Sequence, residues 1–352
     1  MKIDSLYTIL IPSHNRPFDL NRLVNYYSKL KCEIIVCDSS DKPLDYAGTY
    51  NLLYMYLHGV SFFNKLKKGL AAVQTPYVLL HPDDDFVSIL GLRKAATFLH
   101  ENSNFVSVMG QSIGFVKNNK DVNLMLRNTD QYLALLKMKP SDSSTVRMHN
   151  SLTPYSQTVW TLHRTEVLRQ FVHADISWFK SACLYERFFS LFFAIHGNTK
   201  FLPVFFCARQ FENLIEEREQ DKFNYTGPGT VLFSTEYKDE IGKMCKVLAA
   251  EMVRLENIPE EDAYVKIQSA VEQYKKTFHS NRHNFTNSKI DRFFSKYNPD
   301  KILAKFVKPI VVSNDRWGKS FFFQKNKLPC YRTSARDEIK NIVSIIRNDL
   351  KN

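Results

Sequence analysis

The sequence predicts an α/β protein in which the strands of a mainly parallel sheet alternate with helices. Three observations lead to this prediction. Short apolar runs recur along the first part of the chain, amphipathic helical patterns separate them, and polar or acidic residues follow the runs directly. Alternation of this kind produces right-handed crossovers and a parallel sheet, whose carboxyl edge binds ligands. We therefore expect functional side chains where these strands end.

The elements that precede the acidic residues follow from apolar runs and helical spacing. Strands are predicted at residues 7–11, 33–37 and 51–57. Helices are predicted at residues 20–30 and 62–73. The turn sequence Pro-Ser-His-Asn-Arg-Pro ends the first strand, and Asp-Ser-Ser ends the second. Both polar turns are therefore expected at the carboxyl edge of the sheet.

Three consecutive acids, Asp83, Asp84 and Asp85, end the next buried strand, which begins at Tyr77. Adjacent carboxylates repel one another, so a divalent cation is a natural partner for such a group. Carboxylate oxygens suit Mg²⁺ or Mn²⁺, which keep waters and substrate phosphates as their other ligands. On this stretch alone, a solvated acidic turn or a helix N-cap is an equal alternative.

Taken together, three motifs resemble the nucleotide-sugar domain of GT-A glycosyltransferases, nearest to family 2-like bacterial enzymes whose metal motif reads Asp-Asp-Asp-Phe. The motifs are Ile-Pro-Ser-His-Asn-Arg-Pro, Val-Cys-Asp-Ser-Ser and Thr-Pro-Tyr-Val-Leu-Leu-His-Pro-Asp-Asp-Asp-Phe. The resemblance is good over residues 5 to about 115, weakens to about 215 and is absent beyond. It implies a GT-A (Rossmann-like) catalytic domain over residues 1–215, with a donor half at about 1–115 and an acceptor half at about 116–215. Residues 216–352 then form a helical, basic C-terminal region.

The resemblance implies that the polar turns bind the nucleotide. Ser13 and Asn15 match the first loop that meets the nucleotide, and Arg16 would contact phosphate or brace the loop. Asp38 matches the acid that accepts a hydrogen bond from the base or the ribose. Two neighbours complete the implied nucleotide-binding set, Pro12 and Ser39.

For the acids, the resemblance implies that Asp85 contacts the metal directly and that Asp83 contacts the ribose or the metal through water. Asp84 would support them. One feature departs from the family pattern, because His81 and Pro82 stand where small or apolar residues are usual.

Sugar transfer with inversion and without a covalent intermediate requires a general base for the acceptor hydroxyl. The candidate is Glu186, which precedes the apolar helical run 188–195 and follows the acids at the distance that the family shows. A helix cap or a partner of the helix dipole is the alternative for this glutamate. Asp175 is the second candidate for the base.

Between the acids and Glu186, the chain should form the acceptor side. A helix from Ile89 and a strand at residues 105–109 are followed by residues 116–150, which show no sustained period and predict a loop over the site. Further strands are predicted at residues 157–163 and 200–206. Two side chains of the first of these, Trp160 and His163, would line the sugar pocket or belong to the core. Arg209 follows the last strand and would face phosphate or form a surface ion pair.

Much of the net charge of +12 lies near the C-terminus, since residues 271–352 hold eighteen Lys and Arg against seven Asp and Glu. Helices are predicted over residues 241–255 and 265–274. Beyond them, basic residues alternate with aromatic ones. This pattern fits an anionic membrane surface, a nucleic-acid backbone, or helices that pack their aromatics against the catalytic domain; nucleic acid is the least favoured.

Composition places the protein in the cytoplasm, or at the inner face of the cytoplasmic membrane as a peripheral protein. No stretch approaches the roughly twenty apolar residues of a membrane span, and no signal-peptide pattern opens the chain. Six cysteines without paired metal spacing indicate reduced, buried thiols.

The sequence therefore predicts a Mn²⁺- or Mg²⁺-dependent glycosyltransferase that moves a sugar from a nucleotide-sugar donor to a glycan or lipid-linked acceptor, with inversion. Bacterial surface polysaccharide or lipopolysaccharide synthesis is the expected setting. The alternatives are a retaining enzyme on the same fold, a sugar nucleotidyltransferase and a non-catalytic scaffold. A nucleotidyltransferase would need a lysine- and glycine-bearing loop after the first strand, and residues 12–17 contain neither.

Overall fold

The computed structural model describes residues 2–28, 30–46, 51–117, 122–125, 129–153, 155, 157–174, 178–179, 181–210, 231–286 and 333–349. Within these ranges, nine strands form a single sheet. The strands are β1 Tyr7–Ser13, β2 Glu33–Asp38, β3 Leu52–Tyr56, β4 Tyr77–Leu80, β5 Phe86–Val87, β6 Phe105–Lys117, β7 Val122–Met125, β8 Leu162–Arg164 and β9 Asn198–Gln210.

Ten α-helices accompany the sheet in the described ranges. They are α1 Pro17–Tyr27, α2 Phe62–Ala72, α3 Ile89–Glu101, α4 Thr129–Leu136, α5 Ser144–Leu152, α6 Thr165–His173, α7 Ala182–His196, α8 Lys238–Glu256, α9 Glu260–Thr286 and α10 Thr333–Asp349. None of them is both long and apolar enough to cross a membrane.

The strand order is β3-β2-β1-β4-β8-β6-β9-β5, with β7 paired to β6. The first four strands in this order are parallel to one another. Because β8 runs antiparallel to both β4 and β6, and β5 runs antiparallel to β9, the whole sheet is mixed. The predicted class, an α/β sheet flanked by helices, is confirmed, and the described part of the C-terminal region, residues 231–286 and 333–349, is mostly helical.

The sheet separates two hydrophobic clusters, and alternate residues of each buried strand point to opposite faces. In β1, Leu10 belongs to the first cluster, which also contains the buried faces of α6 to α9. Ile9 and Ile11 belong to the second cluster, together with α1, α3 and α10. The parallel strands β1 and β4, and β2 beyond its first residue, are buried on both faces, which explains their unbroken apolar runs in the sequence. The edge strand β3 is partly exposed.

Residues 116–150 differ from the predicted loop. β6 continues to Lys117, and the strand β7 and the helices α4 and α5 follow. The helix α5 begins at the N-cap Ser143, whose hydroxyl accepts a hydrogen bond from the Val146 amide at 3.5 Å. Only a few of its residues are apolar and buried, such as Met148, so its periodic signal is too short to detect. The strand predicted at residues 157–163 is also shorter, because only β8 forms there.

The predicted helices over residues 241–255 and 265–274 are confirmed as parts of α8 and α9, which pack into the first cluster. The basic and aromatic segments of residues 287–332 lie outside the described residues, so their membrane or nucleic-acid role stays a prediction. The boundary near residue 215 also lies outside them, and the division into two domains stays a prediction. Five cysteines are described, and all are buried free thiols.

Candidate active site

Parallel pairing brings the predicted turns to one edge of the sheet. Ser13, the last residue of β1, is in register with Asp38, the last residue of β2. On the other side of β1, the amide of His81 donates to the carbonyl of Leu10 at 2.9 Å, so the acids that follow β4 reach the same edge. The hydroxyl of Ser13 donates to Oδ2 of Asp83 at 2.7 Å. The first and third sequence motifs therefore meet in space.

The carboxyl group of Asp83 is almost fully buried, with 7% of the residue exposed. Burial, and next the charge of Asp84, raise the pKa of Asp83 to about 7, while Arg16 and Ser13 act in the opposite direction. The guanidinium of Arg16 lies 3.8 Å from Asp83 and 2.5 Å from Oδ2 of Asp84. Arg16 thus contacts the acids directly, which favours its role in bracing the loop.

Asp85 is also buried, and it contacts the end of β9. Pairing of β5 with β9 brings Gln210 and Arg209 beside it. The backbone amide of Gln210 donates to Oδ1 of Asp85 at 2.8 Å, and Nε of Arg209 lies 3.3 Å from Oδ2. Burial, and next the charge of Asp84, raise the pKa of Asp85 to about 7, although Arg209 opposes this. Arg209 is therefore a partner of the acids and is not a distant surface residue.

His81 is buried directly before the acids, and its Nε2 lies 2.8 Å from the hydroxyl of Tyr27 and 3.2 Å from the carbonyl oxygen of Asp85. Burial lowers the pKa of His81 to about 3, so the ring is neutral. The neutral imidazole lies between Tyr27 and the acid loop and contacts the Asp85 backbone, which gives His81 a structural role directly before the acids.

Asp38 is fully buried and both of its carboxylate oxygens accept hydrogen bonds inside the protein. Oδ1 accepts from the amide and hydroxyl of Ser40 at 2.9 and 2.5 Å, and Oδ2 accepts from the hydroxyl of Tyr54 at 2.7 Å. The Ser39 amide donates to the carbonyl of Ser13 at 3.1 Å and ties the two turns together. The structure thus gives Asp38 a role in shaping the turn, and a contact of Asp38 with base or ribose stays a prediction.

The turn after β1 is held in an unusual backbone conformation. Asn15 has a φ of 53°, in the left-handed region that asparagine tolerates better than most residues. The backbone amide of Asn15 donates to the hydroxyl of Ser40 at 2.7 Å. Below the turn, the buried ammonium of Lys65 donates to the carbonyl of Ser13 at 2.6 Å, and burial lowers its pKa. Lys65 is a member of the site that the sequence motifs do not indicate.

Glu186 lies in the second turn of α7 and is not its N-cap, since Ser181 holds that position. Its Oε1 accepts from Nε2 of Gln157 at 2.5 Å, and its Oε2 accepts from the hydroxyl of Tyr155 at 3.2 Å. Gln157 in turn accepts from Nη1 of Arg209 at 2.5 Å. A continuous chain of polar contacts therefore joins Glu186, through Gln157 and Arg209, to Asp85.

Burial raises the pKa of Glu186, and the nearby guanidinium groups and hydrogen-bond donors only partly oppose this. A half-buried carboxylate with a raised pKa is suited to accept a proton. Sequence reasoning missed Gln157 and Tyr155 as its partners, because neither belongs to a recognisable motif. Asp175, the second candidate for the base, lies outside the described residues.

The structure places His163 in the core and not in a sugar pocket. Its Nδ1 lies 2.8 Å from the hydroxyl of Ser107, and its Nε2 lies 3.0 Å from the carbonyl of Val159. The ring packs against Phe189 and Phe193, with centroids 5.2 and 4.6 Å away. Burial lowers the pKa of His163 to about 4.

This environment predicts a pH effect on stability. The folded protein holds the His163 proton less tightly than the unfolded chain. The contribution of neutral His163 to the free energy of unfolding is therefore fully present above pH 6.5 and is lost as the pH falls towards 4. Between pH 7.5 and pH 5, urea unfolding should show that the wild type loses about 2 kcal/mol more stability than His163→Gln. The exposed control His173→Gln should follow the wild type. Equal losses in the wild type and His163→Gln would contradict the prediction.

The fit of a divalent cation depends on Asp83 and Asp85. Across the described part of the chain, no three His, Cys, Asp or Glu side chains are grouped to hold a metal ion. Mg²⁺ and Mn²⁺ do not need such a group, because they take one or two carboxylates and complete their shells with water and phosphate oxygens. Burial raises the pKa values of Asp83 and Asp85, because burying their negative charges costs free energy. A bound dication would offset this cost. The donor set therefore fits Mg²⁺ or Mn²⁺.

No protein-family model matches the chain, and no curated protein matches it. Solved structures are similar to it. S. aureus TarS 1-349 matches with a TM-score of 0.47 and 14% sequence identity, over 79% of this chain and 91% of that chain. The same protein in complex with UDP-GlcNAc matches with a TM-score of 0.45 and 15% identity, over 79% and 92%. At this level of similarity the likeness concerns the fold class alone.

Proposed function

We propose that this chain is a metal-dependent glycosyltransferase, which moves a sugar from a nucleotide-sugar donor to a hydroxyl group of a glycan or lipid-linked acceptor with inversion. One observation carries the proposal. Asp83 and Asp85, two buried acids at the carboxyl edge of the parallel strands, lie in one loop, and Asp85 is joined to the half-buried Glu186 through Arg209 and Gln157. Open α/β sheets bind ligands at this edge, and buried carboxylates with raised pKa values mark functional sites.

The donor side of the reaction is assigned to the acid loop and the turn after β1. Asp83 and Asp85 would hold Mn²⁺ or Mg²⁺. The ion, when bound, would act as a Lewis acid and template for the leaving diphosphate. The guanidinium groups of Arg16 and Arg209, which contact the acids, place positive charge where diphosphate oxygens would bind. The turn with Ser13 and Asn15 would orient the nucleoside.

The acceptor side is assigned to Glu186. As general base it would take the proton of the acceptor hydroxyl while that oxygen attacks the anomeric carbon from the face opposite the leaving nucleotide. Gln157 and Tyr155 donate to the two oxygens of Glu186 and so fix the carboxylate. Inversion follows from a single displacement of this kind. The acceptor in bacterial surface polysaccharide or lipopolysaccharide synthesis, and a position at the membrane, are parts of the proposal that the resemblance suggests.

The proposal predicts the outcome of a thermal-shift screen with UDP, GDP, dTDP, CMP and UTP, each with and without Mn²⁺. A ligand that binds only the folded state raises its stability by about 2.7 kcal/mol at a hundred times Kd. One diphosphate should raise the melting temperature strongly, and only when Mn²⁺ is present. NMR of the product formed from the matching sugar nucleotide should then show an inverted anomeric centre.

Two outcomes would contradict the proposal. A response to the triphosphate alone would favour a sugar nucleotidyltransferase. No response to any nucleotide, in a protein shown to be folded by circular dichroism, would favour a non-catalytic scaffold.

A further inference from the structure

The helix α3 begins four residues after Asp85, and its first turn receives a carboxylate from the helix α10. Oε2 of Glu338, in α10, accepts from the hydroxyl of Ser88 at 2.5 Å, and Oε1 accepts from the amide of Ile89 at 2.5 Å. The Ser88 hydroxyl itself accepts from the Gly91 amide at 2.9 Å. The amides at this helix end, which have no partner inside the helix, are thus satisfied by a serine and a glutamate together.

The second carboxylate is not required for capping alone. Helices α5 and α7 begin with Ser143 and Ser181, whose hydroxyls accept from the amides three residues later. Ser88 performs the same task at α3. Glu338 adds a contact between segments that are 250 residues apart in the sequence.

The helix that carries Glu338 is firmly embedded in the protein. Its buried residues recur at helical spacing, so one face of α10 is apolar. They are Ala335, Ile339, Ile342, Val343 and Ile346. This face lies in the second hydrophobic cluster, which also contains Phe86 and Val87. Glu338 is therefore held against α3 by a packed helix.

A short connection joins the first turn of α3 to the acids. Only Phe86 and Val87 separate Asp85 from Ser88, and both are paired with β9. The amide of Ser88 donates to the carbonyl of Phe206 at 2.7 Å. A Cβ on Gly91 would lie 2.3 Å from the carbonyl oxygen of Phe205, so α3 is pressed against the strand that ends in Arg209 and Gln210. A shift of this helix end would move Asp85 relative to both partners.

We propose that Glu338 is a positioning residue for the acid loop, so that α10 sets the place of Asp85 through the first turn of α3. Glu338 acts on the ligand-binding carboxylate without touching it. Because coupling between sites is reciprocal, ligand binding at Asp85 should also tighten the docking of α10. The inference rests on the proposed function only where the ligand is named, since the positioning itself concerns the protein alone.

The test uses the full chain with Glu338→Leu, Glu338→Gln and the control Asp337→Asn, whose side chain is 70% exposed. Hydrogen exchange of the peptides that cover residues 81–92 and 335–346 is measured without ligand. Glu338→Leu should raise exchange at residues 83–90 at least tenfold. Glu338→Gln, which keeps one acceptor oxygen, should raise it a few-fold, and Asp337→Asn should not change it.

The second measurement is the affinity for Mn²⁺ in the presence of the nucleoside diphosphate that stabilises the wild type, by calorimetry. Glu338→Leu should weaken it about tenfold, and Glu338→Gln less. Faster exchange confined to residues 88–92, with unchanged exchange at residues 83–86 and unchanged Mn²⁺ affinity, would overturn the proposal and leave a simple helix cap.

If the wild type bound neither nucleotide nor Mn²⁺, the proposed function would fail separately. The exchange at residues 83–86 would then decide the positioning role. If Glu338→Leu did not fold, the same criterion would apply to Glu338→Gln.

Discussion

Replacing Asp85 with asparagine is expected to abolish Mn²⁺-dependent binding of the nucleoside diphosphate and to lower sugar transfer by about a thousandfold or more. The variant loses the carboxylate proposed to bind the ion directly, and with it several kcal/mol of stabilisation for the charge on the leaving diphosphate. Calorimetric titration and a transfer assay measure the two effects.

The fold should survive this change. The asparagine side chain would keep an oxygen that can accept from the Gln210 amide, and Arg209 would keep its hydrogen bond to Gln157. Burial raises the pKa of Asp85, which means that burying its negative charge costs free energy. The neutral asparagine avoids this cost. The surface variant Asp239→Asn is a matched control, and its binding and activity should equal those of the wild type. Normal Mn²⁺-dependent binding by Asp85→Asn would remove the metal role of this acid.

Replacing Glu186 with glutamine should separate binding from chemistry. The amide has nearly the same shape but cannot take a proton, so turnover is expected to fall by about a hundred- to ten-thousandfold. The affinity for nucleotide and Mn²⁺ should stay within a few-fold of the wild type, because Glu186 reaches Asp85 only through Gln157 and Arg209.

The pH profile gives an independent check on the base. A general base must be deprotonated, and burial raises the pKa of Glu186, so kcat/KM of the wild type should rise with pH through that pKa. At saturating Mn²⁺, which would keep Asp83 and Asp85 deprotonated, the residual activity of Glu186→Gln should lack this rise. The exposed control Glu101→Gln should retain the full profile. Wild-type turnover in Glu186→Gln would dismiss this glutamate as the base and direct attention to Asp175.

The acid loop and the polar turns could be predicted because their signals are local. Each apolar run marks a strand, each polar turn marks its end, and parallel pairing then places Ser13, Asp38 and Asp83 at one edge. The neutral state of His81 could not be predicted, since it depends on the hydroxyl of Tyr27 and on burial that only the packed structure defines.

The connection between Glu186 and Asp85 lies beyond sequence reasoning for a related reason. It depends on the two-residue strand β5, which is too short to show any period and whose pairing with β9 brings Arg209 to the acids. It also depends on Gln157, in a segment that was expected to be strand but lies before β8. The helix α10 was not predicted, and the surface that its apolar face covers is defined only by the packed structure.

The pairing of Arg16 with Asp84 and of Arg209 with Asp85 has a practical consequence. These guanidinium groups act as built-in counterions that offset part of the repulsion among the acids, so we expect the acid loop to form without a captured ion. Expression, purification and storage in buffers containing a chelator are therefore compatible with an intact loop. Binding of the proposed dication would then be a late and reversible exchange, in which the ion would compete with the arginines for carboxylates that are already in place.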